Sequence, residues 1–168
     1  IRRELENLLK NDRDKYIEFF KTFGVQIKYG VYNNFGVDKE KLQDLVMFYS
    51  ANHERLITLD EYVKEMDTDQ DKIYYASGSS ITKIDNMPQV EQVKEKGYDI
   101  LYLTDYVDEF TVTAIQKYND KIFQNVASND LDLETEEEKK ETEEVNKKSE
   151  DLLKHMKELI SDVGEVKF

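Results

Sequence analysis

The first third of the chain places its apolar residues at helical spacing. Between residues 2 and 23 they form two stripes at intervals of three or four positions: Leu5, Leu8 and Leu9, then Tyr16, Phe19, Phe20 and Phe23. The stripes are separated at Asn11 and Asp12, and Asp12 is a residue type that caps the N-termini of helices. Apolar positions continue over residues 25–32, where we expect more helix. The chain is therefore predicted to open with helices.

A turn and two further helices are predicted next. Residues 33–36 read Asn-Asn-Phe-Gly, which is typical of a turn. A helix is predicted to begin at Asp38, because apolar residues again recur at helical spacing: Leu42, Leu45, Val46 and Tyr49. Thr58 has Glu61 three positions later, which is the pattern of a capping box at the start of a short helix.

From Lys72 onward the apolar residues form short continuous runs. Three of these runs favour β-strands: 73–76, 99–103 and 122–126. Helices are predicted between them over 81–96, where Pro88 suits a first turn and Gly97 a C-terminal cap, and over 106–118. Alternating helices and apolar strands favour a parallel sheet covered by helices. We predict an α/β fold with N-terminal helices followed by a small three-stranded parallel αβα unit and a terminal helix.

The C-terminal part of the chain changes composition twice. Residues 130–144 hold nine acidic side chains against two lysines, so 129–144 is predicted to be a solvated acidic linker. Apolar residues then return at helical spacing, and the last six residues favour a strand. The predicted organisation is a helical connecting segment (1–71), an αβα subdomain (72–128), the acidic linker (129–144) and the start of another domain (145–168).

The composition and charge of the chain disfavour some classes of partner and exclude some kinds of site. The chain has 24 Lys and Arg against 37 Asp and Glu, a formal net charge of -13, which disfavours nucleic acid and anionic membranes. It has no cysteine, which excludes disulfides, thiolate nucleophiles and cysteine-based zinc sites. The sequence has no apolar window long enough to span a bilayer and no signal-peptide pattern. Because the first residue is Ile rather than Met, we expect a piece of a longer protein.

Three groups of residues are candidates for a phosphate- or metal-binding site, and each also has a simpler structural explanation. The Ser-Gly-Ser-Ser turn at 77–80 lies between a strand and a helix, where backbone amides can bind phosphate. It lacks the further glycines of a dinucleotide fingerprint and the lysine of a P-loop, so helix capping is favoured. His53 and His155 show no metal-binding spacing. The alternating acids Asp67, Asp69 and Asp71 lack the glycine and glutamate of a calcium loop.

The predicted helix over 106–118 carries an aromatic residue that its buried stripe does not explain. That stripe consists of Val107, Ala114, Ile115 and Tyr118. At about 100° per residue, Phe110 falls at the edge of the stripe, with Glu109 and Thr113 toward the polar side. The acidic residues at 105, 108 and 109 suit a helix's first turn. A partly exposed aromatic residue beside polar groups can hold an apolar segment of a partner, and edge-of-core packing is the alternative.

Four segments together resemble a known family. They are Ile73–Gly78, Tyr98–Asp105, Asp108–Phe110 and Phe123–Val126. In combination they resemble the second half of the middle domain of the 90-kDa heat-shock chaperone family, in particular its bacterial members. The N-terminal Ile-Arg-Arg and the helix at 16–23 resemble the family's connecting helices. The resemblance implies that the chain begins within the middle domain and ends in the first elements of the C-terminal dimerisation domain.

The resemblance implies an ATP-driven, cytoplasmic, homodimeric chaperone that acts in protein folding and the stress response. In that family ATP and Mg²⁺ bind to an N-terminal domain, and the middle-domain arginine that contacts the nucleotide precedes the segment matched here. This chain is thus expected to have no cofactor or metal site and no ATPase activity of its own. The implied partners are unfolded or partly folded client proteins, the N-terminal ATPase domain and the C-terminal dimerisation domain.

The resemblance also implies where clients bind. In the family, the helix matching residues 105–118 contributes to the client-handling surface, and position by position this gives Glu109, Phe110 and Thr113. Some relatives have a larger aromatic residue at position 110 and an amide at 113, which affects the strength or choice of client contacts. Two alternatives stay open: a small phosphate- or nucleotide-binding α/β enzyme using Ser77–Ser80, and a structural helical adaptor that binds no client.

Overall fold

A computed structural model describes residues 1–37, 39–68 and 70–128, together with residues 131 and 133. The predicted terminal helix and the final strand therefore lie outside the described residues, as does nearly all of the predicted acidic linker. The division into four parts stays a prediction. Among the described residues, no helix is both long and apolar enough to cross a membrane.

Two helices open the chain, as the sequence predicts: α1 (Arg2–Asn11) and α2 (Arg13–Gly36). Between them, the Asp12 carboxylate accepts a hydrogen bond from the backbone N–H of Lys15 at 3.4 Å, in the manner of the predicted cap. The predicted turn over 33–36 is wrong, because α2 continues to Gly36. The helix carries the fully buried Val31 in the turn before this segment and continues through the local turn signal. The helix ends at Gly36, whose φ of +75° suits glycine.

The helix predicted from residue 38 onward is correct only in its first part. A short helix and one turn of 3₁₀ helix are followed by a hairpin of two antiparallel strands: α3 (Lys39–Leu42), Gln43–Leu45, β1 (Met47–Ser50) and β2 (Arg55–Thr58). Met47 and Phe48 are buried in different apolar clusters, so β1 carries apolar residues on both of its faces. A short run of that kind fits strand and helix equally well. Pairing with the distant strand at 101–103 favours the strand here.

The short helix α4 (Leu59–Lys64) begins at the predicted capping box. The Thr58 hydroxyl accepts a hydrogen bond from the Glu61 N–H at 3.2 Å, and the Glu61 carboxylate accepts one from the Thr58 N–H at 2.8 Å. The same carboxylate accepts a hydrogen bond from the Arg13 guanidinium at 2.9 Å. Arg13 also donates to the Leu56 carbonyl at 3.1 Å. One ion pair therefore joins α2, β2 and α4.

The second half of the described chain alternates strands and helices as predicted. Its elements are β3 (Lys72–Ser77), α5 (Ile81–Asp85), α6 (Pro88–Glu95), β4 (Leu101–Leu103), α7 (Asp108–Ile115), β5 (Lys117–Tyr118) and β6 (Lys121–Asn125). The single helix expected over 81–96 is divided in two, and Pro88 occupies the first turn of the second helix. The helix expected over 106–118 ends at Ile115. Asn119 and Asp120, both with positive φ, make the tight turn from β5 to β6.

The six strands form one mixed sheet in the order β2-β1-β4-β3-β6-β5. Its centre consists of β4, β3 and β6, which are mutually parallel, so the predicted parallel unit is confirmed. The sequence did not reveal that antiparallel strands extend this unit on both sides. The α/β fold class is correct, and the sheet is larger than predicted.

Helices cover both faces of the sheet. On one face α2 and α7 pack over the main apolar cluster, whose fully buried members include Val31, Phe48, Ile73, Leu101 and Ile115. On the other face lies the alternate residue Tyr102, whose hydroxyl donates to the Asp85 carboxylate of α5 at 2.6 Å. The sheet is thus the middle layer, and α7 lies on the outer surface of one side.

Candidate functional site

Helix α7 is attached to α2 through a buried ammonium group. The Lys28 side chain, 4% exposed, lies 2.6 Å from Asp108 Oδ1 and 2.9 Å from Asp105 Oδ2. The Asp108 carboxylate, 2% exposed, also accepts a hydrogen bond from the Asp105 N–H at 3.0 Å. Burial raises the pKa of the Asp108 carboxyl, and Lys28 opposes that shift. Asp108 therefore has a structural role, which fits its predicted place in the first turn.

Aromatic rings and a hydroxyl complete this attachment. The Lys28 Nζ atom lies 4.9 Å from the centroid of the Phe48 ring and 5.6 Å from that of Phe20. The buried Thr111 hydroxyl lies 2.8 Å from the Val107 carbonyl and 3.3 Å from the Lys28 carbonyl. These contacts fix the rotation of α7 against α2, and with it the face that α7 exposes.

The exposed face of α7 carries the three residues singled out from the sequence. Glu109, Phe110 and Thr113 are all exposed, and 59% of Phe110 is accessible to solvent. The buried residues are Val107, just before the helix, and Asp108, Thr111, Val112 and Ile115 of the helix itself. Tyr118, expected on the helical stripe, belongs to β5 and donates a hydrogen bond to Asp44. Phe110 is thus a surface residue rather than a member of the core.

Two tyrosines of α2 adjoin Phe110, and the sequence did not reveal them as neighbours. The Tyr32 ring lies 5.6 Å from the Phe110 ring, and the Tyr29 ring lies 4.9 Å from Tyr32 in an edge-to-face arrangement. Desolvation raises the pKa of the Tyr32 hydroxyl, to which Tyr29 and Tyr106 also contribute. Tyr29 and Tyr32 are three residues apart on one helix, so the sequence already places them next to each other on the helix surface. Only the packing of α2 on α7 places them beside Phe110.

The turn at 77–80 is occupied by structural contacts. The Ser80 hydroxyl caps α5 by accepting from the Lys83 N–H at 3.3 Å. A Cβ atom at Gly78 would lie 2.7 Å from Ile84 Cγ1, so the glycine is needed for the close approach of α5. The Ser77 hydroxyl donates to the Glu109 carboxylate at 2.5 Å. A carboxylate at the turn disfavours a bound phosphate.

The other chemical candidates do not gather into a site. His53 Nε2 pairs with the Glu65 carboxylate at 2.6 Å, while His155 lies outside the described residues. Asp69 is also outside them, and the Asp67 carbonyl accepts a hydrogen bond from the Gln70 N–H in a turn. In the described part of the chain, no group of three or more His, Asp or Glu side chains is arranged to hold a metal ion.

The fold and this surface define a class of protein. It is an α/β domain with a mixed sheet between helical layers, and the exposed aromatic residue on its outer helix is a candidate interaction surface. The chain belongs to the Hsp90 protein family, whose family model matches residues 1–168. The resemblance inferred from the sequence is therefore confirmed.

Known relatives agree with this assignment. The chain is 53% identical over 139 residues to the chaperone protein HtpG of Clostridium acetobutylicum, and 49% identical over 140 residues to that of Bacillus subtilis. Each match covers 83% of this chain and 22% of the relative, so the chain spans about a fifth of their length. Among solved structures, it is similar to the middle domain of a heat shock protein of Plasmodium falciparum. That match has a TM-score of 0.68 and 31% identity over 74% of this chain and 52% of the other.

Proposed function

We propose that this chain is the part of an ATP-dependent molecular chaperone that contributes to client binding and transmits motion between domains. Membership of the Hsp90 family and the likeness to a heat shock protein's middle domain support this proposal. The observation that carries it is Phe110, an apolar ring left exposed on a helix that a buried ion pair holds in place. A fixed, exposed aromatic residue suits a contact with apolar segments of non-native proteins.

The three residues on the exposed face of α7 have different roles in this proposal. Phe110 supplies the apolar contact area, and Thr113, about one turn further along, extends the surface with a hydroxyl. Glu109 provides a polar rim and is itself oriented by the Ser77 hydroxyl. Polar groups around an apolar contact exclude water and set the choice of ligand.

The proposal assigns the nucleotide chemistry to other parts of the longer chaperone. ATP and Mg²⁺ bind to the N-terminal domain, this segment has no cofactor or ATPase activity of its own, and the C-terminal domain forms the homodimer. The cytoplasm is the proposed location. The buried attachment of α7 to α2 supports the proposed coupling, because a movement of α2 would carry the client surface on α7 with it.

The competing function is a phosphate- or nucleotide-binding enzyme that uses the turn at 77–80. This turn lies at the carboxyl end of a parallel strand, where ligands of α/β sheets bind. The contacts of Gly78 and Ser80 are accounted for by packing and capping, and Glu109 adds a negative charge. These contacts favour the chaperone function over the enzyme.

A backbone amide NMR titration tests the proposal directly. An unfolded client protein should shift resonances of residues 105–116, and ATP with Mg²⁺ should leave residues 77–80 unchanged. Shifts at 77–80 with ATP would instead support the enzyme.

The Phe110→Ala variant tests the residue that carries the proposal. It should weaken client binding by roughly tenfold. Because the ring is exposed, the free energy of unfolding should change by no more than about 1 kcal/mol. Ile122→Ala is the matched control, since Ile122 is 49% exposed on β6. A loss of several kcal/mol with unchanged binding would show a core role for Phe110.

A further inference from the structure

Four aromatic side chains that are exposed or half-buried lie on α2, on α7 and in the loop before α7. We define this aromatic surface as Tyr29, Tyr32, Tyr106 and Phe110. Tyr106 is 77% exposed, Phe110 59% and Tyr29 47%, while Tyr32 is half-buried between its neighbours. Ring contacts join Tyr29 to Tyr32 and Tyr32 to Phe110. Helix α2 thus supplies half of this surface, although the resemblance noted in the sequence implied only residues of α7.

The side chains of the aromatic surface are held in place without a bound ligand. Each helix beneath it is fixed by buried contacts, because Lys28 and Val31 of α2 and Asp108 and Thr111 of α7 are all buried. The rings restrain one another through edge and tilted contacts. Tyrosine offers a large contact area for little loss of conformational entropy. Water-exposed rings held in this way favour a bound partner over solvent.

The charges on the α7 side of the aromatic surface are mainly negative. Asp105 and Asp108 share the single ammonium of Lys28, and Glu109 adds a third carboxylate beside Phe110. The ammonium is buried, whereas Asp105 and Glu109 are exposed. The Lys39 ammonium lies at the opposite end of α7, bound to the carbonyls of Ala114 and Ile115. A ligand on the α7 side of the aromatic surface therefore meets an excess of negative charge.

The combination of aromatic faces and carboxylates selects a particular chemistry. Rings of Tyr and Phe attract cations over their faces, and carboxylates pair with Lys and Arg. We propose that the aromatic surface binds polypeptide segments of non-native proteins in which Lys or Arg flanks an apolar or aromatic side chain. This inference rests on the proposed function and extends its site from α7 to α2. The apolar side chain packs on Tyr32 and Phe110, and the basic side chains reach Asp105 and Glu109.

Fluorescence anisotropy with two labelled model peptides tests the charge preference. The peptides share the same Leu and Phe positions and differ only in having Lys or Glu at the positions between them. The Lys peptide should bind at least roughly fivefold more tightly, and added salt should reduce the difference. Glu109→Gln should also reduce it, since the neutral amide keeps the size of the side chain. Equal binding of the two peptides would overturn the proposal.

Variants of the tyrosines on α2 and in the loop before α7 test the extension of the site, and Tyr32→Ala tests α2 by itself. The double variant Tyr29→Ser and Tyr106→Ser removes the two most exposed tyrosines and should weaken Lys-peptide binding roughly fivefold, as should Tyr32→Ala. Tyr32→Phe, which keeps the ring, should bind normally, and Ile122→Ala is the control away from both helices. Amide spectra show whether each variant is folded.

The outcomes separate this inference from the proposed function. If Phe110→Ala weakens binding and the tyrosine variants do not, the site is confined to α7 and the inference is wrong. If none of these variants affects binding of either peptide or of the unfolded client, the proposed function is wrong as well. Self-association that depends on concentration and is abolished by Tyr32→Ala would show that a second copy covers the surface, which also overturns the inference.

Discussion

At the residue scale, the Glu61 carboxylate serves three elements at once. It caps α4 through Thr58, pairs with Arg13 of α2, and through Arg13 stabilises the end of β2. Burial acts to raise the pKa of Glu61, but the hydrogen bonds from Arg13 and Thr58 together outweigh burial and lower that pKa below its ordinary 4.5. The capping box was visible in the sequence because its two residues are three apart. Arg13, 48 positions away, was not.

The shift at Glu61 predicts a pH dependence. Because its pKa is lower in the folded state than in the unfolded chain, its contribution to stability is present above pH 4.5 and is lost as the pH falls through the folded-state value. Glu61→Gln should lower the free energy of unfolding by about 1 to 2 kcal/mol at pH 7. The difference from the wild type should shrink below pH 4.5. Urea unfolding of the wild type and the variant at a series of pH values measures this difference in the free energy of unfolding.

The control for this experiment is Glu95→Gln, which changes an exposed carboxyl near the end of α6. It should have little effect on stability at pH 7. A Glu61→Gln deficit that stayed constant from pH 7 down to acid unfolding would show that packing, rather than the ionised carboxylate, accounts for the role of Glu61.

Gly78 predicts a steric coupling between the turn after β3 and α5. An added Cβ would meet the fully buried Ile84 at 2.7 Å, so Gly78→Ala should cost about 1 to 3 kcal/mol in free energy of unfolding. In the Ile84→Ala background the clash is relieved, and the same substitution should cost much less. A double-mutant cycle measured by urea unfolding tests this. If Gly78→Ala lowers the free energy of unfolding equally in the wild-type and Ile84→Ala backgrounds, the loss comes from the backbone at residue 78 and not from the contact with Ile84.

At the scale of elements, the Lys28 ion pair determines how α7 sits on α2. Removing one partner of a buried pair leaves an uncompensated charge, so Lys28→Met should lower the free energy of unfolding by about 3 to 5 kcal/mol. Lys28→Met combined with Asp108→Asn should recover part of that loss, because the second change removes the unpaired carboxylate. Urea unfolding again provides the measurement.

Lys21→Met is the matched control for the Lys28 prediction, since Lys21 is an exposed lysine on the same helix. It should change stability by no more than about 0.5 kcal/mol. Equal effects of the two lysine substitutions would mean that the buried pair does not hold α7. A double variant less stable than Lys28→Met alone would mean that Asp108 is held chiefly by its backbone contact.

Elements with local signals were predictable from the sequence, and those defined by distant pairing were not. The parallel strands β3, β4 and β6 are continuous apolar runs between helices, and α2 repeats its apolar residues at helical spacing. Strand β1 has no distinctive period, and it becomes a strand by pairing with β2 and β4. The candidate site shows the same division. The helical angle of Phe110 placed it at the edge of the buried stripe and left both exposure and edge-of-core packing open, and its contact with Tyr32 required the tertiary structure.

At the scale of the whole molecule, we propose that ATP binds to a different domain of the longer chaperone. This predicts how ATP affects the stability of the present chain. A ligand that binds the folded state raises the melting temperature in proportion to the logarithm of its concentration over Kd. If the nucleotide site belongs to another domain, ATP with Mg²⁺ should neither raise the melting temperature of this chain nor be hydrolysed by it. A bound client peptide should raise it, because the aromatic surface belongs to the folded state alone.

Calorimetry and a phosphate-release assay on the same preparation distinguish the two functions. An ATP-dependent rise in melting temperature that is abolished by changing Ser80 to Ala, accompanied by phosphate release, would place a nucleotide site at the turn of β3. That result would contradict the structural account of Gly78 and Ser80. A rise with the Lys-containing peptide, lost in Phe110→Ala, would instead link the stability of the domain to its client surface. Contacts of the client with both helices would give the buried pair between α2 and α7 a second role, because holding the two halves of the binding surface together lowers the cost of binding.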